Sequence, residues 1–432
     1  MSDITSTSAP SAMLVITNGT IIDGTGADPV PDGMLVIQGD RITAVGLRTD
    51  FAICPEAAVI DAQGKTILPG VIDSHVHSAA DAGVRRQLLT CGVTALCDLG
   101  SPLDSIAQFV QERIGQDPVA RGFRAGPILT AQGGLPDAIL HENLNYEVAT
   151  PEEARTAVID LLDRGVDVIK VYFDPGHESF PMLDKERAHT IVREAHARGI
   201  LVRAHVTRVT VWDLALGSGV DVIEHVPLPP LTEAEIRKQL ADSNDPLNDL
   251  RAMFRPPEYE TLLPRMVAQG TAMAPTLDAG LATLSRLDNP GPEIRIIIDA
   301  ILQVVRRFRA MGGIIALGSD RDFHNSDFER GMPIREMKFL LAAGLTPMEV
   351  IEAGTRHAAH VCGHGGELGA LESGKLADVI IVDGDPLADI KAMRKVVTVI
   401  KGGKVAYEAE QALSKNQSVV SKSELLSIPL FP

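Results

Sequence analysis

Short apolar runs alternate with stretches of helical periodicity through the middle of the chain. Apolar runs of this length, bounded by turn residues, predict buried strands, whereas apolar residues at every third or fourth position predict helices. One predicted helix, at 151–164, begins at a proline, and another, at 183–198, ends before Gly199. The predicted strands are 71–77, 94–99, 127–133, 166–173, 200–206, 222–226, 271–277 and 314–320.

Eight strands that alternate with helices over roughly 250 residues predict an α/β fold, a (β/α)8 TIM-type barrel. A doubly wound sheet is the alternative. It would place a glycine-rich phosphate turn after the first strand, where this chain has Ser74-His75-Val76-His77. The connection at 227–262 is unusually long. We expect it to lie above the barrel mouth or to pack against a neighbouring subunit.

Both ends of the chain carry a different pattern, in which short β-rich runs are separated by hairpin turns such as Asn18-Gly19. This pattern predicts a small β-sandwich domain that is built from both termini. The predicted organisation is a disordered segment at 1–12, the β-sandwich at 13–66 and 367–411, the barrel at 67–366 and a tail at 412–432.

Composition narrows the classes of function. A net charge of −17 argues against a nucleic-acid partner and against an anionic membrane surface. No apolar stretch approaches the ~20 residues that span a bilayer, and residues 1–12 do not resemble a signal peptide. The four cysteines fit neither a disulfide framework nor a CxxC metal pattern. We therefore expect a cytoplasmic protein with a small-molecule substrate.

Polar residues at the ends of the predicted strands suggest a metal site. His75 and His77 occupy alternate positions of the first strand, so their side chains point to the same face. Four more residues lie in or at the end of later strands, namely Lys170 in the fourth, His205 in the fifth, His225 in the sixth and Asp320 in the eighth. In a barrel all six would converge on the C-terminal face, where barrel enzymes do their chemistry.

The order HxH, Lys, His, His, Asp resembles the amidohydrolase superfamily in its two-metal form. The similarity extends from the N-terminal strands through Pro69-Gly70 to the turn at Gly374-Lys375-Leu376-Ala377-Asp378. Within the superfamily, the chain is most similar to the branch of imidazolonepropionase-like proteins and prolidase-type metal-dependent dipeptidases. The resemblance and the long connection together predict a homo-oligomer.

The resemblance implies how the six residues would bind two divalent ions: His75, His77 and Asp320 at one ion, His205 and His225 at the other, and Lys170 between them. An ammonium group cannot ligate a metal, so the resemblance also implies that Lys170 is N6-carboxylated to a carbamate. A hydroxide would form the remaining bridge. Nitrogen and oxygen ligands without a thiolate suit Zn²⁺ best, with Co²⁺, Mn²⁺ and Fe²⁺ as alternatives.

The expected reaction is hydrolysis of an amide-type C–N bond in an amide, carbamate, urea, N-acyl amino acid or dipeptide. Asp320 would take a proton from the bridging hydroxide and deliver it to the leaving amine. An esterase or lactonase on the same centre is the alternative. A heterocycle deaminase is disfavoured, because deaminases of the superfamily carry a glutamate soon after the fifth-strand histidine. Here none follows His205 before Glu224.

Four further residues on or after strand ends are candidate substrate contacts, namely His141, Arg208, Gln132 and His324. The related dipeptidases typically carry a Gly-Gly-His turn after the third strand and a tyrosine just after the fifth-strand histidine. This chain has Gly133-Gly134-Leu135-Pro136 and Val206-Thr207-Arg208 at these places. The departures weaken any assignment of C-terminal carboxylate recognition.

Overall fold

The structure is a computed structural model that describes residues 13–114, 118–176, 180–229, 231, 233–241, 243–285, 291–323 and 331–409. The predicted disordered segment at 1–12 and the tail at 412–432 lie outside these residues. The strands are β1 (Met13–Ile21), β2 (Val30–Gln38), β3 (Arg41–Leu47), β4 (Ala58–Asp61), β5 (Thr66–Pro69), β6 (Val71–His77), β7 (Val93–Asp98), β8 (Arg121–Arg124), β9 (Ile128–Ala131), β10 (Asn145–Val148), β11 (Ile169–Tyr172), β12 (Val202–His205), β13 (Val222–Glu224), β14 (Ala272–Ala274), β15 (Arg321–Asp322), β16 (Val379–Val382), β17 (Val396–Lys401) and β18 (Lys404–Glu408).

Helices separate most of the strands in the middle of the chain. They are α1 (Ala82–Thr90), α2 (Ser105–Ile114), α3 (Asp137–Leu140), α4 (Pro151–Asp163), α5 (Lys185–His196), α6 (Val209–Ser218), α7 (Glu233–Ala241), α8 (Pro246–Met253), α9 (Tyr259–Gln269), α10 (Leu277–Ser285), α11 (Pro292–Ala310), α12 (Ile334–Ala342), α13 (Pro347–Glu352) and α14 (Ala358–Val361). Short 3-10 helices occupy Arg48–Asp50 and Ile390–Arg394, and a π-helical turn occupies Ala353–His357. No helix in the described part of the chain is both long and apolar enough to cross a bilayer.

One eight-stranded sheet combines strands from both ends of the chain. Its order is β18-β17-β16-β5-β1-β2-β3, and β4 also pairs with β1. Strand β16 is antiparallel to β5, with Ile380 opposite Leu68. The C-terminal strands therefore join the sheet at β5, the strand that precedes β6 in the chain. A separate apolar cluster, which includes Ile16, Leu35 and Ile381, lies against this sheet. The division of these strands into two sandwich layers stays a prediction.

The middle of the chain forms two parallel sheets, β10-β9-β11-β12-β13-β14 and β15-β6-β7-β8. The predicted mixed α/β fold is therefore confirmed. The amide of Ala316 donates to the carbonyl of Met273 at 2.9 Å, and the amide of Ser74 donates to Leu317 at 3.0 Å. On the other side, the amide of Asp167 donates to Arg124 at 2.8 Å. These bonds link the two sheets and favour the closed barrel, which stays a prediction.

Most of the predicted elements are present. Strand β6 matches the predicted bounds, and α4 begins as predicted because the Thr150 hydroxyl accepts a hydrogen bond from the Glu153 amide and Pro151 starts the helix. The prediction of a strand at 314–320 is wrong. Residues 314–320 form an isolated bridge to β14 but no continuous strand, and β15 spans Arg321–Asp322. The chain turns at Asp320, whose φ of 53° interrupts an extended strand.

Three features were absent from the sequence prediction. Strands β8 and β10 are short, with four residues each, and carry too few apolar positions for the pattern to show. The long connection at 227–262 contains α7, α8 and the start of α9. Helix α8 packs against α11, with Leu250 and Ile296 in a small apolar cluster of their own.

Candidate metal centre and active site

His75 and His77 end β6, and the backbone brings Asp320 to both. The amide of Asp320 donates to the carbonyl of His75 at 2.8 Å, and β15 continues in parallel beside β6. As a result, Asp320 Oδ1 lies 3.3 Å from His75 Nε2 and 3.1 Å from His77 Nε2. A carboxylate between two imidazoles is a geometry that suits a shared divalent ion.

Parallel pairing brings the remaining residues to the same end of the sheet. Lys170 in β11 lies opposite Arg203 in β12, and His205 lies opposite Glu224, the residue before His225. His225 Nε2 is 2.8 Å from His205 Nδ1, and His225 Nδ1 is 3.7 Å from Asp320 Oδ2. The structure therefore brings all six predicted residues together, while their roles as ligands stay predictions.

The donor atoms fit a metal ion. Ligand atoms of His75, His225 and Asp320 lie within 4.8 Å of one another. Lys170 and His75 are each 1% exposed, and neither Lys170 Nζ nor His75 Nε2 has a hydrogen-bond partner among the described residues. Buried polar groups are normally satisfied, so two such atoms among these residues fit a site that binds a metal ion.

Burial keeps most of these histidines neutral, which is the form that binds metals. Burial lowers the pKa of His75 to about 3 and that of His225 to about 4, and it lowers the pKa of His205 well below its usual value. Burial also opposes protonation of His77, but the hydrogen bond and charge of Asp320 outweigh it and raise the His77 pKa.

The pKa values of Lys170 and Asp320 are both lower than usual, as expected in a cluster of charged groups. Burial lowers the pKa of the Lys170 ammonium to about 8, and Arg203 lowers it further while Glu224 opposes both. Burial alone would raise the pKa of Asp320, yet the neighbouring histidines hold it well below the usual range. A fraction of the Lys170 amine is thus neutral near neutral pH, while Asp320 is a carboxylate.

Outer hydrogen bonds orient the rings. His75 Nδ1 lies 2.7 Å from Glu224 Oε2, His225 Nδ1 lies 2.7 Å from Thr276 Oγ1, and His77 Nδ1 lies 3.5 Å from the carbonyl of Gly100. Such partners fix the ring orientation and the tautomer of a metal-binding histidine. For His75, they leave Nε2 facing Asp320.

Three non-glycine residues of this cluster adopt a left-handed backbone. The φ values are 70° at His225, 47° at Thr276 and 53° at Asp320. A non-glycine residue in this region costs of order 1–3 kcal/mol and persists only where the surrounding structure enforces it. Such residues concentrate at functional sites, so the strain is an independent indication that this strand edge is functional.

A cavity of about 250 Å³ opens beside the cluster. Its wall includes five of the six predicted ligands, together with Tyr172, which stacks on His205 with 3.9 Å between ring centroids. The rest of the described lining is Ser78, Gly100, Ile128, Pro136, Leu140, Glu142, Leu144 and Asp322. This volume is slightly below the roughly 300–1,000 Å³ typical of ligand pockets, so the cavity suits a small substrate.

None of the four predicted substrate contacts is among the described residues that line the cavity. Arg208 is mostly buried, and its Nε is 4.0 Å from Asp174 Oδ1. Gln132 and His141 are exposed and are not among the described residues that line the cavity. His324 falls outside the described residues. Contact of these four residues with substrate stays a prediction.

Sequence reasoning missed the buried ion pair behind the ligands. Arg203 and Glu224 are both 0% exposed, and Arg203 Nε donates to Glu224 Oε1 at 2.7 Å. The sequence could have indicated this pair, because Arg203 and Glu224 each place a charge within an apolar strand, and the two charges have opposite signs. Buried charges must be paired, so the two charges in successive strands predict contact.

The comparisons with known proteins agree with this geometry. A model of the amidohydrolase family matches residues 265–406. Ochratoxinase of Aspergillus niger is 25% identical over 448 residues, which covers 90% of this chain and 86% of that protein. Imidazolonepropionase of Alkaliphilus oremlandii (strain OhILAs) is 23% identical over 414 residues, which covers 88% and 91% of the two chains.

A solved structure extends the similarity to the whole fold. The crystal structure of a Xaa-Pro dipeptidase is 26% identical to this chain and superimposes with a TM-score of 0.70, covering 92% of this chain and 100% of that one. The family match, the relatives along most of the chain and the shared fold all agree. The predicted resemblance to the amidohydrolases is therefore confirmed, and the protein is a hydrolase that acts on carbon–nitrogen bonds.

Proposed function

We propose that the protein is a two-metal hydrolase that cleaves an amide-type C–N bond in a small molecule. One observation carries the proposal. Five side chains that can ligate a metal ion lie with Lys170 at one edge of the parallel strands. The buried Lys170 Nζ and His75 Nε2 have no hydrogen-bond partner among the described residues.

His75, His77 and Asp320 would hold one divalent ion, and His205 and His225 the other. The nitrogen and oxygen donors suit Zn²⁺. When bound, the ions would polarise the scissile carbonyl and make hydroxide available near neutral pH. The mostly neutral histidines support this assignment, because imidazolium cannot ligate.

Lys170 would bridge the two ions as a carbamate. Its neutral amine attacks carbon dioxide, a C–N bond forms, and one proton is released to solvent. A pKa of about 8 leaves about a tenth of the amine neutral at pH 7, far more than for an ordinary lysine. The resulting carbamate has oxygen atoms that could ligate the ions, whereas a buried ammonium group could not.

Asp320 would transfer the proton. Its carboxylate is ionised and faces His75, His77 and His225, so it can accept a proton from the attacking water at Oδ and then donate that proton to the leaving nitrogen. Protonation of the nitrogen is needed because an amide anion is a poor leaving group. Amide substrates thus depend more on Asp320 than esters do.

The amide preference rests on the relatives, one of which is named as a dipeptidase. An esterase or lactonase would use the same carbonyl chemistry and is the second candidate. We also propose that the two parallel sheets close into a (β/α)8 barrel at 67–366. The bonds through Ala316, Ser74 and Asp167 support that closure.

The test combines metal analysis with a substrate screen. Zinc-loaded protein is assayed for zinc per chain and for hydrolysis of N-acyl amino acids, dipeptides, anilides, carbamates and lactams, each beside its ester or lactone. About two ions per chain and turnover of amides are expected. Failure to bind zinc at saturation would contradict the proposal, and exclusive turnover of esters would favour the second candidate.

A further inference from the structure

We propose that the substrate carries a bulky, uncharged aryl or alkyl group, which binds to an apolar wall of the cavity formed by Ile128, Pro136, Leu140 and Leu144. This inference rests on the proposed function, because the wall borders the proposed metal centre. It narrows the substrate to a neutral amide-type compound with an apolar substituent.

The wall exposes apolar surface to solvent. Ile128 begins β9 and is 4% exposed, whereas Leu140 at the end of α3 is 51% exposed and faces the cavity. Ile139 beside it is 59% exposed but is not among the described lining residues. An apolar ligand that covers Leu140 removes this surface from water, at roughly 25 cal/mol for each Å². Exposed apolar surface beside a cavity is typical of a binding site.

The segment that carries the wall is held in place by side-chain hydrogen bonds. Asp137 accepts from the amides of Leu144 and Asn145, at 2.9 Å each, and the Asn145 side chain donates to the carbonyl of Gly134 at 2.9 Å. These bonds fasten both ends of the segment 134–145 to each other. The wall is thus a preorganised surface, which reduces the entropy lost when a ligand binds.

The charges of the cavity disfavour an anionic substituent. Among the described lining residues, Lys170 is the one Lys or Arg, and it lies at the proposed metal centre, whereas Glu142 beside the wall adds negative charge. The guanidinium of Arg208, a predicted substrate contact, has its Nε 4.0 Å from Asp174 Oδ1. A free carboxylate at the wall, away from the proposed metal ions, would therefore meet Glu142 and apolar surface.

The hydrolysis test uses a panel of neutral amides in which either the acyl or the amine substituent grows from methyl to butyl to phenyl. A matched panel carries a 4-carboxyphenyl group. We expect kcat/KM to rise, by up to about fourfold for each buried methylene, and to fall at least tenfold when the carboxylate is added. A preference for the carboxylated compounds would overturn the inference.

Two variants on α3 test whether Leu140 is responsible for the preference for large apolar substituents. Leu140→Asp should raise KM for the phenyl substrates at least fivefold and should affect the methyl substrate less. Ile139→Asp is the matched control, since it adds the same charge one residue away, and it should behave like the wild type. Equal effects of the two variants would contradict a role for Leu140.

A binding experiment separates this inference from the proposed function. Neutral benzanilide is titrated calorimetrically into the metal-depleted enzyme and its two variants. Weaker binding to Leu140→Asp alone would support the apolar wall even if no amide in the panel is hydrolysed. Equal binding by all three proteins, or none by the wild type, would reject the wall even if the protein proves to be a zinc hydrolase.

Discussion

Glu224 fixes the ring of His75: its Oε2 lies 2.7 Å from His75 Nδ1, and both side chains are almost completely buried. The other oxygen of Glu224 accepts from Arg203 Nε at 2.7 Å, and Arg203 also donates to the carbonyl of Ser74 at 2.7 Å. The chain of contacts connects β12, β13 and β6. It sets the tautomer of His75 so that Nε2 presents its lone pair toward Asp320.

Glu224→Gln should therefore weaken zinc binding by about 10- to 100-fold, because the amide is a poorer partner for His75. It should also destabilise the fold by roughly 3–5 kcal/mol, since Arg203 is left buried without its counter-charge. Competition with a chelator measures the first effect, and denaturant unfolding of the metal-free protein measures the second.

The double variant Arg203→Met, Glu224→Gln separates the two effects. Removal of the guanidinium should recover much of the stability, whereas zinc affinity should stay low because His75 is still without its carboxylate. Wild-type zinc affinity in the double variant would mean that Glu224 acts only as the partner of Arg203.

Asp320→Asn should leave zinc content nearly intact, because the other five residues remain, and should remove most of kcat for amides. A general acid–base group typically contributes 10²- to 10⁴-fold, so we expect a loss in that range. Esters with good leaving groups should lose less. Substantial amide turnover by Asp320→Asn would refute the proton-transfer role, and Asp213→Asn, an exposed aspartate on α6, serves as the control.

Carboxylation of Lys170 should depend on pH. Below the pKa of about 8, the neutral amine decreases roughly tenfold for each pH unit, so two-ion loading should be slower and less complete at pH 6 than at pH 8.5. The pKa values of His75 and His225, about 3 and about 4, keep these rings neutral throughout that window.

Metal-free protein is reconstituted at both pH values with zinc and ¹³C-labelled bicarbonate, and the carbamate is followed by ¹³C NMR. Added bicarbonate should rescue loading at the lower pH. Lys170→Met is the control and should show neither the carbamate signal nor the bicarbonate effect. Full two-ion loading of that variant would remove Lys170 from the ligand set.

The sequence predicted the parts of the site that follow from strand periodicity. His75 and His77 share a face because they are two residues apart, and parallel strands bring Lys170, His205 and His225 to the same edge. Asp320 lies beside both histidines, and its role as a ligand stays a prediction. The strand predicted to end at Asp320 is wrong, because its left-handed φ cannot be read from the sequence.

The remainder of the site depends on tertiary geometry. The contact of Glu224 with His75 joins residues that are 149 positions apart, and no local pattern specifies their distance. The apolar wall lies in a connection whose shape is set by hydrogen bonds of Asp137 and Asn145, rather than by hydrophobic periodicity. Substrate contacts are hardest to predict for this reason, because they lie on loops.

Lys401 provides a test of the electrostatics away from the metal centre. It ends β17 in a second cavity, of about 370 Å³, that Arg85 and Arg121 also line. Burial lowers the pKa of its ammonium to about 8, the two arginines lower it further, and Asp378 opposes the shift. Because the unfolded chain keeps the ordinary value, the unfolded state binds more protons between pH 8 and about 10.5.

The wild-type protein should therefore gain stability as the pH rises from 8 to about 10.5, and it should bear the full cost of the charged lysine below pH 8. Lys401→Met removes that cost. At pH 7 we expect it to be more stable by about 1 kcal/mol, after allowance for solvent screening of a partly exposed group, and the advantage should shrink toward pH 10.5. Denaturant unfolding at pH 7, 9 and 10.5 measures the difference. The exposed Lys404→Met controls for the added apolar side chain, and a stability difference for Lys401→Met that does not change with pH would show that packing, rather than charge, is responsible.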